Sequence, residues 1–283
     1  MDIGIGLPNQ VRDVTASIIP RWARRAEETG FATLGSTGRF AYPSVMDTVA
    51  LAAAAGATST IKLISHVLLA TTWPGVLLAK EAASIDGVSG GRLTLGLGVG
   101  VREDDFVVPG HGPRGRGARM DQDLATYRAV WAGEPVAGGE MPVVPAGTRQ
   151  VPMLFGAMSP AAYRRMAESS DGFIAGTMPA SMAGEAFDGA RAAWQAAGRT
   201  GKPRLVALNY FALGDPDRGL ANVGDYYAAT GDYRDLAVAG VHTDAAGLRD
   251  AIKQFDDLGA DELILIPSTD DLDEVTRLAD IVL

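Results

Sequence analysis

The stretch from Thr60 to Phe106, TIKLISHVLLATTWPGVLLAKEAASIDGVSGGRLTLGLGVGVREDDF, constrains the fold of this chain more than any other. Ile61 to Leu69 is apolar and rich in branched residues, as a strand buried on both faces is. Pro74 suits the first turn of a helix, and Leu78, Ala82 and Ile85 follow at helical spacing. Ser89-Gly90-Gly91 stops that helix, and Leu93 to Leu97 is a second apolar strand. Such a strand–helix–strand run specifies a right-handed βαβ unit with parallel strands. Both strands end in small or unusual residues, Ser65-His66 in one and Gly98-Val99-Gly100 in the other. Parallel α/β folds bind their ligands at those ends, so function is sought there.

The rest of the chain repeats the unit. Asp2 to Leu7 is a first strand, and Ile18, Ile19, Trp22, Ala23 and Ala26 form the apolar face of a helix closed by Thr29-Gly30. Phe31 to Leu34 is the second strand, followed by a helix through Val45, Met46, Val49 and Ala53. Met120, Leu124, Tyr127 and Trp131 mark the fourth helix, after a loop from Phe106 to Gly117. Gly133 to Gln150 is irregular and too long for an ordinary connection. Strands five, six and seven are expected at Pro152–Phe155, Gly172–Ala175 and Arg204–Leu213. Asp215 to Gly240 reads as less regular. Glu262 to Ile266 is the eighth strand, with a last helix through Leu272, Val275, Leu278 and Val282. Eight alternations without a composition break predict one (β/α)8 TIM barrel domain over residues 1–283, with insertions after strand four and before strand five. A doubly wound open sheet is the runner-up.

Composition narrows the chemistry. A formal net charge of −9 argues against nucleic acid or an anionic membrane as the main partner. The sequence has no cysteine and three histidines (His66, His111 and His242), which excludes thiol chemistry and disfavours a histidine-rich metal centre. No signal-peptide pattern or membrane-length apolar run is visible, so a cytoplasmic protein is expected.

The words SGGRLTLGLGVGVREDDF, RGRGARMDQDLATYRAVWAGEPV and VPMLFGAMSPAAYRRMAESSDGFIAG occur in this order. In order and spacing the chain resembles the bacterial luciferase-like superfamily over nearly its whole length. That resemblance implies a (β/α)8 oxidoreductase using FMN or the deazaflavin F420 on a small organic substrate, and is compatible with a homodimer. Two departures stand out. Many members carry an acid or an Asp-His pair where this chain has Ser36-Thr37-Gly38-Arg39, and a common Trp is replaced by Val101.

The candidate residues follow. In the family a bulge, commonly with a non-prolyl cis peptide, pushes against the flavin ring where Ser65-His66-Val67 stands here. His66 either lines the site, with a catalytic proton role open to it, or is a buried structural histidine. Gly96 to Gly100 lacks the third glycine of a dinucleotide fingerprint. Its glycines, with Gly98 and Val99 beside the ring, keep the mouth open for a flat group. Arg102 to Asp105 reads as a solvated, salt-bridged loop. Gly156-Ala157-Met158-Ser159 before Pro160 forms a capped helix N-terminus suited to an anion. The resemblance assigns the cofactor phosphate there and to Gly176 and Thr177 after strand six. Among Arg114, Arg116 and Arg119, Arg116 falls on the family's loop-to-helix arginine. The first reading is therefore an FMN- or F420-dependent oxidoreductase, of the monooxygenase or hydride-transfer kind. The second is a flavin-binding protein without turnover. A barrel hydrolase or aldolase finds no metal cluster or activated group at the strand ends.

Overall fold

A computed structural model describes residues 1–106, 112–136 and 138–283. Eight parallel strands close into a barrel: β1 (Asp2–Gly6), β2 (Thr33–Ser36), β3 (Lys62–Leu69), β4 (Leu93–Gly98), β5 (Met153–Phe155), β6 (Gly172–Thr177), β7 (Arg204–Phe211) and, after a short β8 (Val241–His242), β9 (Glu262–Pro267). Each of these eight pairs in parallel with its neighbours, and β9 closes the ring between β7 and β1. The structure thus realises the expected (β/α)8 barrel, with irregular chain after β4 and before β5.

The helices are α1 (Ile19–Thr29), α2 (Asp47–Ala57), α3 (Gly75–Ser89), α4 (Arg116–Trp131), α5 (Pro160–Ser169), α6 (Ala180–Ala196), α7 (Pro216–Tyr226), α8 (Asp232–Ala239), α9 (Ala245–Asp257) and α10 (Asp273–Val282). None is long and apolar enough to cross a membrane. Strand alternation divides the core in two. Ile64, Leu154, Ile174, Val206 and Ile264 fill the barrel, whereas Leu63, Leu95, Phe155, Phe173 and Leu265 face outward onto the helices. Gly30 and Gly90 end α1 and α3 at φ 97° and 70°, the left-handed geometry glycine adopts without cost. At α2 no glycine serves, and Arg92 takes its place. Its guanidinium donates to the carbonyls of Ala55, Thr58 and Ile61 at 2.8–3.0 Å.

Two expectations need correction. Val49 is 56% exposed, because α2 starts only at Asp47 and turns Ala50, Leu51, Ala54 and Ala55 inward; Val45 and Met46 precede the helix. The segment from Asp215 to Gly240 is not irregular but holds α7 and α8. Glycines and aspartates spread through it weaken its apolar periodicity. β8 follows as an additional strand. β6 pairs with β7 only as far as Leu208, and β8 joins β7 at Tyr210 and Phe211.

Candidate active site

β3 and β4 run in register to Ser65 and resume at Leu68, so β3 bulges between them. The His66–Val67 peptide within the bulge is cis. The Ser65 hydroxyl donates to the Gly96 carbonyl at 2.9 Å and ties the bulge to β4. Three glycines make room for it. A Cβ on Gly96 would collide with the Ser65 carbonyl oxygen, and one on Gly35 with the His66 ring. One on Gly98 would lie 2.8 Å from the Val67 side chain. Val67 packs on the inner core, while Val99 packs on the outer one and its carbonyl accepts the Thr71 hydroxyl at 2.9 Å.

His66 is 3% exposed. Its Nδ1 lies 3.1 Å from the Thr37 hydroxyl, and its Nε2 has no partner among the described residues. Burial pushes the imidazole down to about 4, against weaker opposing backbone contacts. The ring is therefore neutral at pH 7 and works there as a hydrogen-bonding group.

After β5, Ser159 caps α5 by accepting from the Ala162 N–H at 3.3 Å. Met158 and Ser159 are exposed and Ala157 is buried. Gly156 is open, since a Cβ there would meet nothing nearer than the Ile174 carbonyl at 3.7 Å. After β6, Gly176 is exposed, but the Thr177 hydroxyl is engaged by the hydroxyls of Tyr227 and Tyr233, each at 3.2 Å. The candidate residues from Ser65 to Thr177 thus occupy one arc of the rim, across the neighbouring strands β3, β4, β5 and β6.

Residues from three other loops converge on Tyr226 at the end of α7. Arg39, beyond β2, donates to the Tyr226 carbonyl at 3.0 Å and pairs with Asp104 and Asp105. Arg102, beyond β4, lies 4.9 Å over the Tyr226 ring and 5.1 Å over that of Tyr227. Since β7 stands three strands round the barrel from both β2 and β4, these contacts bridge its mouth. The loop from Arg102 to Asp105 is salt-bridged as expected and solvated at Glu103 and Asp104, but Asp105 is 1% exposed and accepts the Phe40 and Ala41 N–H groups. Sequence reading missed Tyr42, Tyr226 and Tyr227; the signal available was the Asp225-Tyr226-Tyr227 cluster at the end of a helix. It also missed Asp47, whose carboxyl lies against Gly38 and is pushed up to about 6 by burial. Arg119 donates to the Thr71 carbonyl at 3.2 Å. His111 and part of the Phe106–Gly117 loop lie outside the described residues.

Residues 1–267 match the family described as luciferase-like monooxygenases. An uncharacterized protein of Mycobacterium tuberculosis is 32% identical over 190 residues, 62% of this chain and 65% of that one. The chain thus spans just under two thirds of this relative's length. An F420-dependent glucose-6-phosphate dehydrogenase of Beutenbergia cavernae is 32% identical over 135 residues, 44% of this chain and 40% of that one. Among solved structures, an F420-dependent secondary alcohol dehydrogenase in complex with an F420-acetone adduct superposes with a TM-score of 0.79 at 17% identity, over 99% and 98% of the two chains.

Proposed function

The chain belongs to the family of luciferase-like monooxygenases, and on that premise we propose that it is a flavin-type oxidoreductase holding F420 or FMN along the β3–β6 arc. The observation that carries this reading is the continuity of that arc. It joins a bulged floor at Ser65-His66-Val67 to an open, capped helix N-terminus at Gly156–Ser159. A flat ring fits the first, and a phosphate fits the second. The Met158 side chain, 85% exposed, is placed to cover a bound group. F420 has the better support of the two cofactors, because a relative at 32% identity carries it in its name.

A bound flavin or deazaflavin supplies the hydride or oxygen chemistry. The chain's own residues do the rest. Ser159 and the Gly156 and Gly176 backbone hold the phosphate, and Val67 with Gly98 shapes the floor. Neutral His66, tethered by Thr37, offers a hydrogen bond beneath the reacting end. Arg39, Arg102 and Tyr226 exclude water from a small organic substrate. Asp47, its carboxyl pushed up to about 6 by burial, lies against Gly38 in the stretch where many relatives carry an acid.

The second reading, flavin binding without turnover, rests on the same bridge across the mouth. Titration of the purified chain with F420, FMN and NADP+ tests the proposal. Saturable binding of F420 or FMN at least tenfold tighter than NADP+ is expected, and NADP+ binding alone overturns it. Reduction of the bound cofactor, followed by reoxidation with oxygen or with a panel of small alcohols and ketones, separates catalysis from binding alone.

A further inference from the structure

On β7 the inward residues are Val206, Leu208 and Tyr210, and the outward ones are Leu205, Ala207, Asn209 and Phe211. An asparagine in that outward series breaks the pattern, because its neighbours are apolar and pack on helices. Asn209 is 7% exposed and lines a cavity, where its amide keeps contact with solvent. An amide that faces a cavity is free to pair with a bound group. Asn209 also sits at a handover in the sheet, between the last β6 pairing at Leu208 and the first β8 pairing at Tyr210.

At that handover lies a cavity of about 360 Å³, bounded by the end of β6, Asn209, α8 and one face of α9. The α9 face is formed by Gly247, Asp250, Ala251 and Gln254, at the i, i+3, i+4, i+7 spacing of a helix stripe. Small and polar side chains stand there where a packed helix would present leucines. Met178, Leu236 and Phe255 make the remaining walls apolar. Asp250 is the sole carboxylate among the lining residues, no Lys or Arg joins it, and burial pushes the His242 imidazole down.

We infer that this cavity, which adjoins the β3–β6 arc at Thr177 and opens between β7, α8 and α9, binds a compact, uncharged organic molecule whose apolar body fills the space and whose carbonyl or amide head pairs with Asn209. An amide side chain donates and accepts at once, which suits a carboxamide head. An anion would face Asp250 without a cation, so the site discriminates against carboxylates and phosphates. The volume lies within the range of small-molecule pockets. Thr177 is the one candidate cofactor residue that also lines the cavity, while Asn209 and α9 lie outside the proposed cofactor arc.

Three probes that differ only in their heads test it on the full chain without flavin: benzamide, benzoate and benzamidine. Binding is followed by ligand-observed NMR, with inorganic phosphate as a fourth arm. Benzamide is expected to bind at least tenfold tighter than benzoate or phosphate, with benzamidine between them. Asn209→Leu removes the polar partner of the head group, so it should weaken benzamide at least tenfold in a folded protein. Gly247→Leu puts a side chain into the cavity from a helical position that gains propensity, and should abolish binding in a folded protein. The inference is overturned if benzamide fails to bind at about 10 mM, the pocket-ligand range being far tighter. It is equally overturned if either variant folds and binds benzamide like the wild type, or if benzoate or phosphate binds more tightly.

Discussion

The Nδ1 atom of His66 and the hydroxyl of Thr37 lie 3.1 Å apart, joining the β3 bulge to the loop beyond β2 while the other ring nitrogen stays unpaired. This contact sets the histidine's orientation, and burial sets its titration. In the folded chain the imidazole sits near 4, against 6.5 when exposed. The stabilising balance is complete above the unfolded value and is lost as pH falls through the window from 6.5 to 4. Across it, His66 should cost the fold on the order of 3 kcal/mol. Urea titrations at pH 7 and pH 4.5 are expected to show wild type losing about 2 kcal/mol more than His66→Gln. Equal losses in both proteins would place the ring in solvent.

Asp47 contributes with the opposite sign. Burial raises its carboxyl to about 6 from 3.8, so the folded state holds a proton that the unfolded chain releases. Stability is then full below the unfolded value and declines as pH rises through 4 to 6. Asp47→Asn keeps a group able to accept from the Thr48 N–H, which Asp47 binds at 2.9 Å, and removes the charge. At pH 7 the variant should be about 1–3 kcal/mol more stable than wild type, a gap that closes by pH 4. An unchanged gap across that range would mean the carboxyl does not titrate there.

Two glycines of β4 separate a rigid clash from a soft one. A Cβ at Gly96 meets the Ser65 carbonyl, which is backbone held in the sheet, whereas a Cβ at Gly98 meets the Val67 side chain. Gly96→Ala should therefore cost more than about 3 kcal/mol or prevent folding, and Gly98→Ala about 1 kcal/mol. Chemical denaturation of the two variants provides the comparison. Equal costs would show that the bulge, not the glycines, adapts.

Much of the barrel was legible because buried parallel strands are continuous apolar words, as Leu93 to Leu97 and Glu262 to Ile266 are. The β3 bulge was readable only through family resemblance, since nothing in Ser65-His66-Val67 alone announces it. Thr177 shows the limit of local reading. Its hydroxyl looked free for a phosphate, but tyrosines fifty residues away in sequence engage it. Arg39 and Asp105 likewise meet only because the closed barrel brings the β2 and β4 loops together, and neither loop carries a periodic signal. Asn209 was hidden in a strand whose average character is apolar.

Ser159 serves the helix and, in the proposed function, the cofactor. Its hydroxyl accepts the Ala162 N–H at 3.3 Å, a long cap on an exposed residue. Ser159→Ala is expected to lower stability by about 0.5–1 kcal/mol, the lower part of the range for N-caps. F420 or FMN should bind roughly tenfold more weakly, the scale of one hydrogen bond to a charged group. Thr177→Ala should disturb the tyrosine contacts more than the cofactor. Calorimetric titration of both variants checks this, and a greater affinity loss at Thr177 would move the phosphate toward β6.

The bridge across the mouth yields a kinetic expectation. Arg102 stacks on Tyr226 and Tyr227 and makes no close ion pair among the described residues, while Arg39 pairs with the buried Asp105. Removing Arg39 therefore strands a charge, and Arg39→Leu should cost about 3 kcal/mol. Arg102→Leu loses the ring contacts and a longer-range attraction to Asp105, about 1–2 kcal/mol. If a cofactor reaches the arc by parting this bridge, that smaller loss lowers the opening barrier directly. Stopped-flow mixing of the Arg102→Leu variant with F420 or FMN should then show association some 5- to 30-fold faster than wild type, the rate equivalent of that energy. An unchanged association rate, in a variant destabilised as expected, would mean the cofactor enters by another route and the bridge stays closed over the substrate side alone.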